Sequence, residues 1–176
     1  MAVAIVATVG SATANSFITL AEAATYMESR LNASTWETDA STDTKNRALV
    51  EATRWLSALN WLGARVDDVQ ALSWPRAWAH NPDQTWAAWS YYDTTEIPTR
   101  VKDATAELAF QFVKQGTSDV AALDPNQGLV EDTVDVLTRR WDGWARSQGL
   151  DRFPSVTRLI APLLASSGST RKVVRA

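Results

Sequence analysis

A mainly α-helical fold is what this sequence predicts: a small bundle of about four helices with one short β-hairpin and an extended C-terminal arm. Three observations carry the expectation. Apolar residues recur at i, i+3, i+4 spacing in four separate stretches. Helix-opening and helix-closing residues flank those stretches at the right offsets. Strand-like alternation of β-branched residues is confined to a single segment after residue 128.

The elements follow in chain order. Ala2 to Val9 is apolar, and the following Ala12-Thr13-Ala14 imitates a leader-cleavage site, but no basic residue precedes Arg30. The segment therefore reads as a strand or arm that packs on the protein or on a neighbour rather than as a signal peptide. Thr19-Leu20-Ala21-Glu22 is a capping box: hydroxyl and carboxylate each take one of the free amides that open a helix. The helix it starts carries Leu20, Ala23, Ala24, Met27 and Leu31 on its inner face, leaves Glu22, Glu28 and Arg30 in water, and stops near Asn32. Ser34 to Thr44 reads as a polar loop in which Trp36 is a wedge over the helix pair.

A second helix is expected from Lys45 toward Asn60, with Asp43 or Thr44 as cap, a stripe of Ala48, Ala52, Trp55, Leu56 and Leu59, and Gly63 as its stop. Pro75 then forces Trp74 out of helical geometry. From Trp74 to Tyr92 the aromatic residues follow no period, which predicts a long loop pinned by its rings. Ile97-Pro98 opens the third helix, whose stripe is Val101, Ala104, Leu108, Ala109, Phe112 and Val113, and Gly116 closes it. Val130 to Leu137 suggests a strand, with a second one at Trp141 to Ala145. Pro154 starts a short fourth helix with Val156, Leu159, Ile160 and Leu163, interrupted by Pro162. Residues 1–165 thus form the helical domain, and 166–176 a Ser/Gly linker and a basic arm.

Composition narrows the chemistry. The chain has 176 residues, 45% of them hydrophobic, with a net charge of −3, no Cys, one His and nine Trp. A chain of this size buries about 70% of its unfolded surface, enough for a core without staples. Zero Cys excludes disulfides, thiolate metal sites and thiol nucleophiles. The single His80 lies in the aromatic loop, where a solvated ring is the ordinary case, and no phosphate loop, nucleophile elbow or metal-binding helix motif occurs. The expectation is a protein that is not an enzyme, uses no cofactor or metal, and, with no apolar run near the ~18 residues of a span, does not cross a membrane.

Two non-catalytic uses remain. Surplus Trp suits packing at subunit interfaces, with Trp74, Pro75, Arg76, Trp78, Trp86 and Trp89 as interface or loop anchors. Aromatic faces can also stack on unpaired bases while Arg76, Arg139 or Arg140 meets phosphates, which would make a single-stranded-DNA binder. The charge asymmetry is sharpest at the end: after Asp151 no acid occurs, and Arg171, Lys172, Val173, Val174 and Arg175 follow the spacer as a segment able to dock on a partner.

Taken together, Asn15-Ser16-Phe17-Ile18-Thr19-Leu20-Ala21-Glu22-Ala23 with Tyr26, Ala48-Leu49 with Ala52-Thr53, Leu72-Ser73-Trp74-Pro75-Arg76, Ile97-Pro98 with Val101-Lys102, Glu107-Leu108-Ala109, and Phe153-Pro154-Ser155-Val156 resemble a group of tailed-phage proteins. These are often labelled DnaT-like single-stranded-DNA-binding proteins, and they look like head-to-tail connector, or adaptor, proteins. The resemblance covers nearly the whole chain. It implies a structural protein of the virion, assembled in the host cytoplasm, that forms a homo-oligomeric ring of about a dozen copies. The ring would extend the channel through which genomic double-stranded DNA passes without specific binding. The portal protein would receive the arm Arg171 to Arg175, and a tail or nozzle protein would bind the opposite end. The other reading is single-stranded-DNA binding in phage replication.

Overall fold

A computed structural model describes residues 3–84, 90–116, 118, 131–134, 137–140 and 152–165. It is mainly helical, with helices α1 (Leu20–Glu28), α2 (Thr42–Ser57), α3 (Thr99–Gln115) and α4 (Pro154–Ile160). A single π turn spans Thr35–Asp39, and a 3-10 turn, Ala161–Leu163, extends α4. Among the described residues there are also two small antiparallel pairs: β1 (Ala64–Arg65) with β2 (Arg76–Ala77), and β3 (Glu131–Val134) with β4 (Leu137–Arg140).

The axis is α3, which packs on α2 and α4 and, less extensively, on α1. Its predicted stripe is buried, apart from a half-exposed Val113; so are Thr105 within that stripe and Ala106, Glu107 and Phe110 on the other faces. A helix buried nearly all round needs its polar groups satisfied internally. Thr105 donates its hydroxyl to the Val101 carbonyl at 2.7 Å. Glu107 receives two hydrogen bonds from Arg30, at 2.7 and 2.8 Å. Pro98 serves as the N-cap rather than as the first helical residue, and Gly116 closes the helix in the left-handed conformation, φ 71°.

Helix α1 starts as expected: the Thr19 hydroxyl accepts from the Glu22 amide and the Glu22 carboxylate accepts from the Thr19 amide. It ends at Glu28, a turn before Asn32. The Ser29 hydroxyl donates to the Tyr26 carbonyl at 2.8 Å, and Asn32 adopts φ 60°. Leu31 therefore leaves the apolar face and is 86% exposed. Arg30, expected in water, instead reaches the buried Glu107 and lies 4.2 Å over the Phe110 ring.

The predicted loop over 34–44 is partly helical. The π turn drives Trp36 into the core, where the wedge was expected, and α2 begins at Thr42 with Ser41 rather than Asp43 or Thr44 as its cap. Asp43 is engaged elsewhere, accepting from the Val3 amide at 3.1 Å, while Asn46 donates to the Val3 carbonyl. Asn15 bridges Ala4 and Val6 with two 2.8 Å bonds. The apolar N-terminal segment thus packs on its own chain as an irregular extended strip rather than as a strand.

Helix α2 stops at Ser57, six residues before Gly63, because the Trp61 indole donates to the Leu56 carbonyl at 2.9 Å and turns the chain. The predicted strand over 130–137 is divided between two paired strands: Val134 of β3 is registered with Leu137, the first residue of β4. The expected strand at 141–145 and the arm at 171–175 lie outside the described residues.

Candidate nucleic-acid interface

Residues 61–84 and 90–92 form a platform built on two buried tryptophans and a half-buried tyrosine. Trp61 and Trp74 meet edge to face at 5.6 Å, and Trp74 meets Tyr92 likewise at 6.1 Å. Such pairs combine large apolar burial with a preferred geometry. The platform is tied to the end of α4 by the Leu62 amide on the Leu163 carbonyl and the Ala165 amide on the Asn60 carbonyl, each at 2.9 Å.

An irregular segment must satisfy its backbone groups with side chains. Two residues do so here. Buried Gln70 accepts from the amides of Val66 and Asp67, both at 3.1 Å, and donates to the carbonyls of Leu72 and Pro75 at 2.8 and 3.1 Å. Arg76 donates from its guanidinium to the carbonyls of Leu62, Ser73, Trp61 and Gly63, at 2.7, 3.2, 3.3 and 2.5 Å. Burial, followed by repulsion from Arg65, pushes its pKa down from the ordinary arginine value. With four carbonyls on its fork, Arg76 is a clamp for the loop, and its guanidinium is taken up by the chain itself rather than held ready for a phosphate.

The outer surface of the platform carries the aromatic groups. Trp78 is 70% exposed and holds a left-handed φ of 57°, a conformation that costs a bulky residue about 1–2 kcal/mol. Beyond it, 79–81 runs antiparallel to 90–92: the Tyr92 amide donates to Ala79, the Asn81 amide donates to Ser90, and His80 is bridged to Tyr91. Tyr91 is 43% exposed. Arg65, the cross-strand partner of Arg76, is exposed and enters none of the ion pairs among the described residues. The far end of the platform is fastened by Asp83, whose carboxylate takes a 2.9 Å bond from Arg100 at the start of α3. That contact, outweighing desolvation, holds Asp83 below the usual carboxylate range.

Of the anchors expected from sequence, Trp74 and Pro75 are buried and belong to the core. Trp78 alone among the described ones presents its ring to solvent, and Trp86 and Trp89 lie outside the described residues. Arg139 and Arg140 are registered opposite Asp132 and Glu131, so each falls at a position facing an acid in the ladder. Sequence reasoning missed Arg65, and counted Tyr91 only among a crowd of rings. The signal for Tyr91 was present, because Ser90-Tyr91-Tyr92 alternates as a strand edge does, with one ring in and one out.

No curated protein and no solved structure matches this chain. A family model described as "Putative DnaT-like ssDNA binding protein" matches residues 1–176. The match overturns the connector reading, because the family is described by binding to single-stranded DNA. The portal and the tail or nozzle protein as partners, the ring of copies and a channel for unbound double-stranded DNA are corrected accordingly. The motifs that suggested them are short packing and capping signals, which fix a fold without specifying what it binds. Matched from its first residue to its last, the chain belongs to the DnaT-like single-stranded-DNA-binding family.

Proposed function

We propose that this protein binds single-stranded DNA without catalysing a reaction on it, stacking unpaired bases on Trp78 and Tyr91 while Arg65 meets the backbone. The observation that carries the reading is Trp78: a large indole, 70% exposed, fixed on a platform whose other tryptophans, Trp61 and Trp74, are buried. Stacking of a base on such a ring contributes about 1–3 kcal/mol and tolerates any sequence. The family to which the chain belongs supplies the ligand class.

The charge distribution shapes the binding mode. The chain carries a net charge of −3, and Asp67 and Asp68 are exposed near Arg65, so long-range attraction to phosphates is weak. Affinity then rests on stacking, and with one cation engaged the logarithm of affinity falls with that of salt with a slope of only about −0.7. Titration of a fluorescently labelled thymidine homopolymer, followed by anisotropy at several salt concentrations, tests this. Binding with a shallow salt slope, weakened about tenfold or more by Trp78→Ala, is the expected result. A wild-type protein that leaves the oligonucleotide free, or a Trp78→Ala variant that binds as well as the wild type, rejects it.

A further inference from the structure

The exposed indole of Trp78 is held by a backbone arrangement that depends on Gly63. That residue has φ 74°, a conformation open to glycine and strained for other residues. It also lies where no side chain fits: a Cβ there would run into the Ala77 carbonyl oxygen, sit 2.8 Å from the Ala79 nitrogen and come within 3.0 Å of the Trp78 carbonyl carbon. All three are backbone atoms flanking or belonging to Trp78, so none can swing aside as the tip of a side chain would. Arg76 in turn draws the carbonyls of Trp61, Leu62 and Gly63 toward its own strand. Glycine thus permits the close approach, and the guanidinium closes it. Together they set the left-handed turn at Trp78.

We infer that Gly63 and Arg76 are positioning residues for base stacking: they touch no nucleotide themselves and fix the backbone from which Trp78 projects. The inference rests on the single-strand-binding reading for its functional consequence but stands on backbone geometry for its structural one. A side chain at 63 forces the 61–65 segment away from 77–79, and the turn that projects Trp78 is lost, while α1 and α3, which contribute no atom to this contact, stay folded.

The test is a double-substitution cycle read in two ways. Gly63→Ala is expected to weaken binding of the thymidine homopolymer about as much as Trp78→Ala does, some tenfold. In the Trp78→Ala background, adding Gly63→Ala is expected to change affinity less than about twofold, because the group it positions is gone. Independent losses that multiply, or a Gly63→Ala affinity equal to wild type, overturn the inference. The second reading needs no DNA: amide exchange at Asn81 and Tyr92, whose N–H groups bond Ser90 and Ala79, is expected to speed up in Gly63→Ala while α3 amides keep their protection. Unchanged exchange there overturns the inference even if affinity falls. Should Gly63→Ala not fold, Arg76→Lys carries the same test, since it keeps the charge and removes the fork. A wild-type protein that binds no oligonucleotide rejects the proposed function, and the exchange measurement then decides the positioning role alone.

Discussion

Trp74 and Trp78 stand four residues apart on one segment and meet opposite fates, the first fully buried and the second 70% exposed. In α3, by contrast, burial follows rows of the helix through its middle turns: Val101, Thr105 and Ala109 are buried, as are Ala104, Leu108 and Phe112. The helix satisfies its own amides and carbonyls, so the position of a side chain on the cylinder decides its burial. The platform has no such repeat. Its backbone groups are satisfied by the side chains of Gln70 and Arg76, and the turn at Trp78 reverses what alternation alone would dictate. Order in α3 is therefore spread over many small contacts, whereas order in the platform hangs on a few residues. That difference decides how single substitutions act.

The largest effect is expected where the platform enters the core. Trp74→Ala removes the ring that joins Trp61 to Tyr92 and is expected to cost about 3–5 kcal/mol in chemical denaturation. A loss under about 1 kcal/mol would show that the platform does not share the stability of the bundle. Next comes the polar contact inside the bundle. Arg30→Ala strips Glu107, whose side chain is only 3% exposed, of its cation, at a cost of about 3 kcal/mol. Burial pushes the Glu107 carboxyl up, but hydrogen bonds from Arg30, Gln111 and Ser155 outweigh it and leave the pKa below the ordinary value. A depressed carboxylate contributes stability that is fully present above its unfolded pKa of about 4.3 and is lost as pH falls through the folded value. Denaturation from neutral pH to about pH 3 should show that acid loss in the wild type and a shallower one in Glu107→Gln. Equal slopes would mean that the pair is not formed in solution.

Local signals were legible in the sequence and distant ones were not. The capping box at Thr19 and Glu22 and the glycine stop at Gly116 were readable because each acts within four residues of itself. The burial of Trp36 followed from a lone ring between two amphipathic helices. The cap of α2 was misplaced by two or three residues because Ser41, Thr42, Asp43 and Thr44 are all competent caps, and Asp43 is engaged instead by Val3, forty residues away. Arg30 and Glu107 lie 77 residues apart, and nothing in either neighbourhood announces the other. At the candidate site, the density of rings between 74 and 92 marked the right segment. Which ring faces water depends on Gly63 and Arg76, and Gly63 read more simply as the end of a helix. Arg76 read as an interface or loop anchor, with phosphate contact as the alternative, and neither reading named its four carbonyl partners, because they come from a chain reversal that no short window contains.

Smaller effects sharpen the comparison. Gln70→Ala leaves two amides and two carbonyls of the platform without their partner, at a cost of about 2 kcal/mol after solvent and local relaxation replace part of the loss. Its signature is local: amide exchange should quicken at Val66 and Asp67 and stay slow in α3, and a uniform rise would instead mean that platform and bundle open as one unit. Trp78→Ala is expected to have the smallest effect on stability, within about 0.5 kcal/mol of wild type, because an exposed ring gives up little contact and the alanine inherits the same strained φ. Trp78→Gly separates those two contributions, since it loses the same ring but relieves the left-handed turn. It should be more stable than Trp78→Ala by a few tenths of a kcal/mol up to about 1 kcal/mol. If instead both variants were destabilised by several kcal/mol, Trp78 would be a packing residue like Trp74, and the contrast between the two tryptophans would vanish.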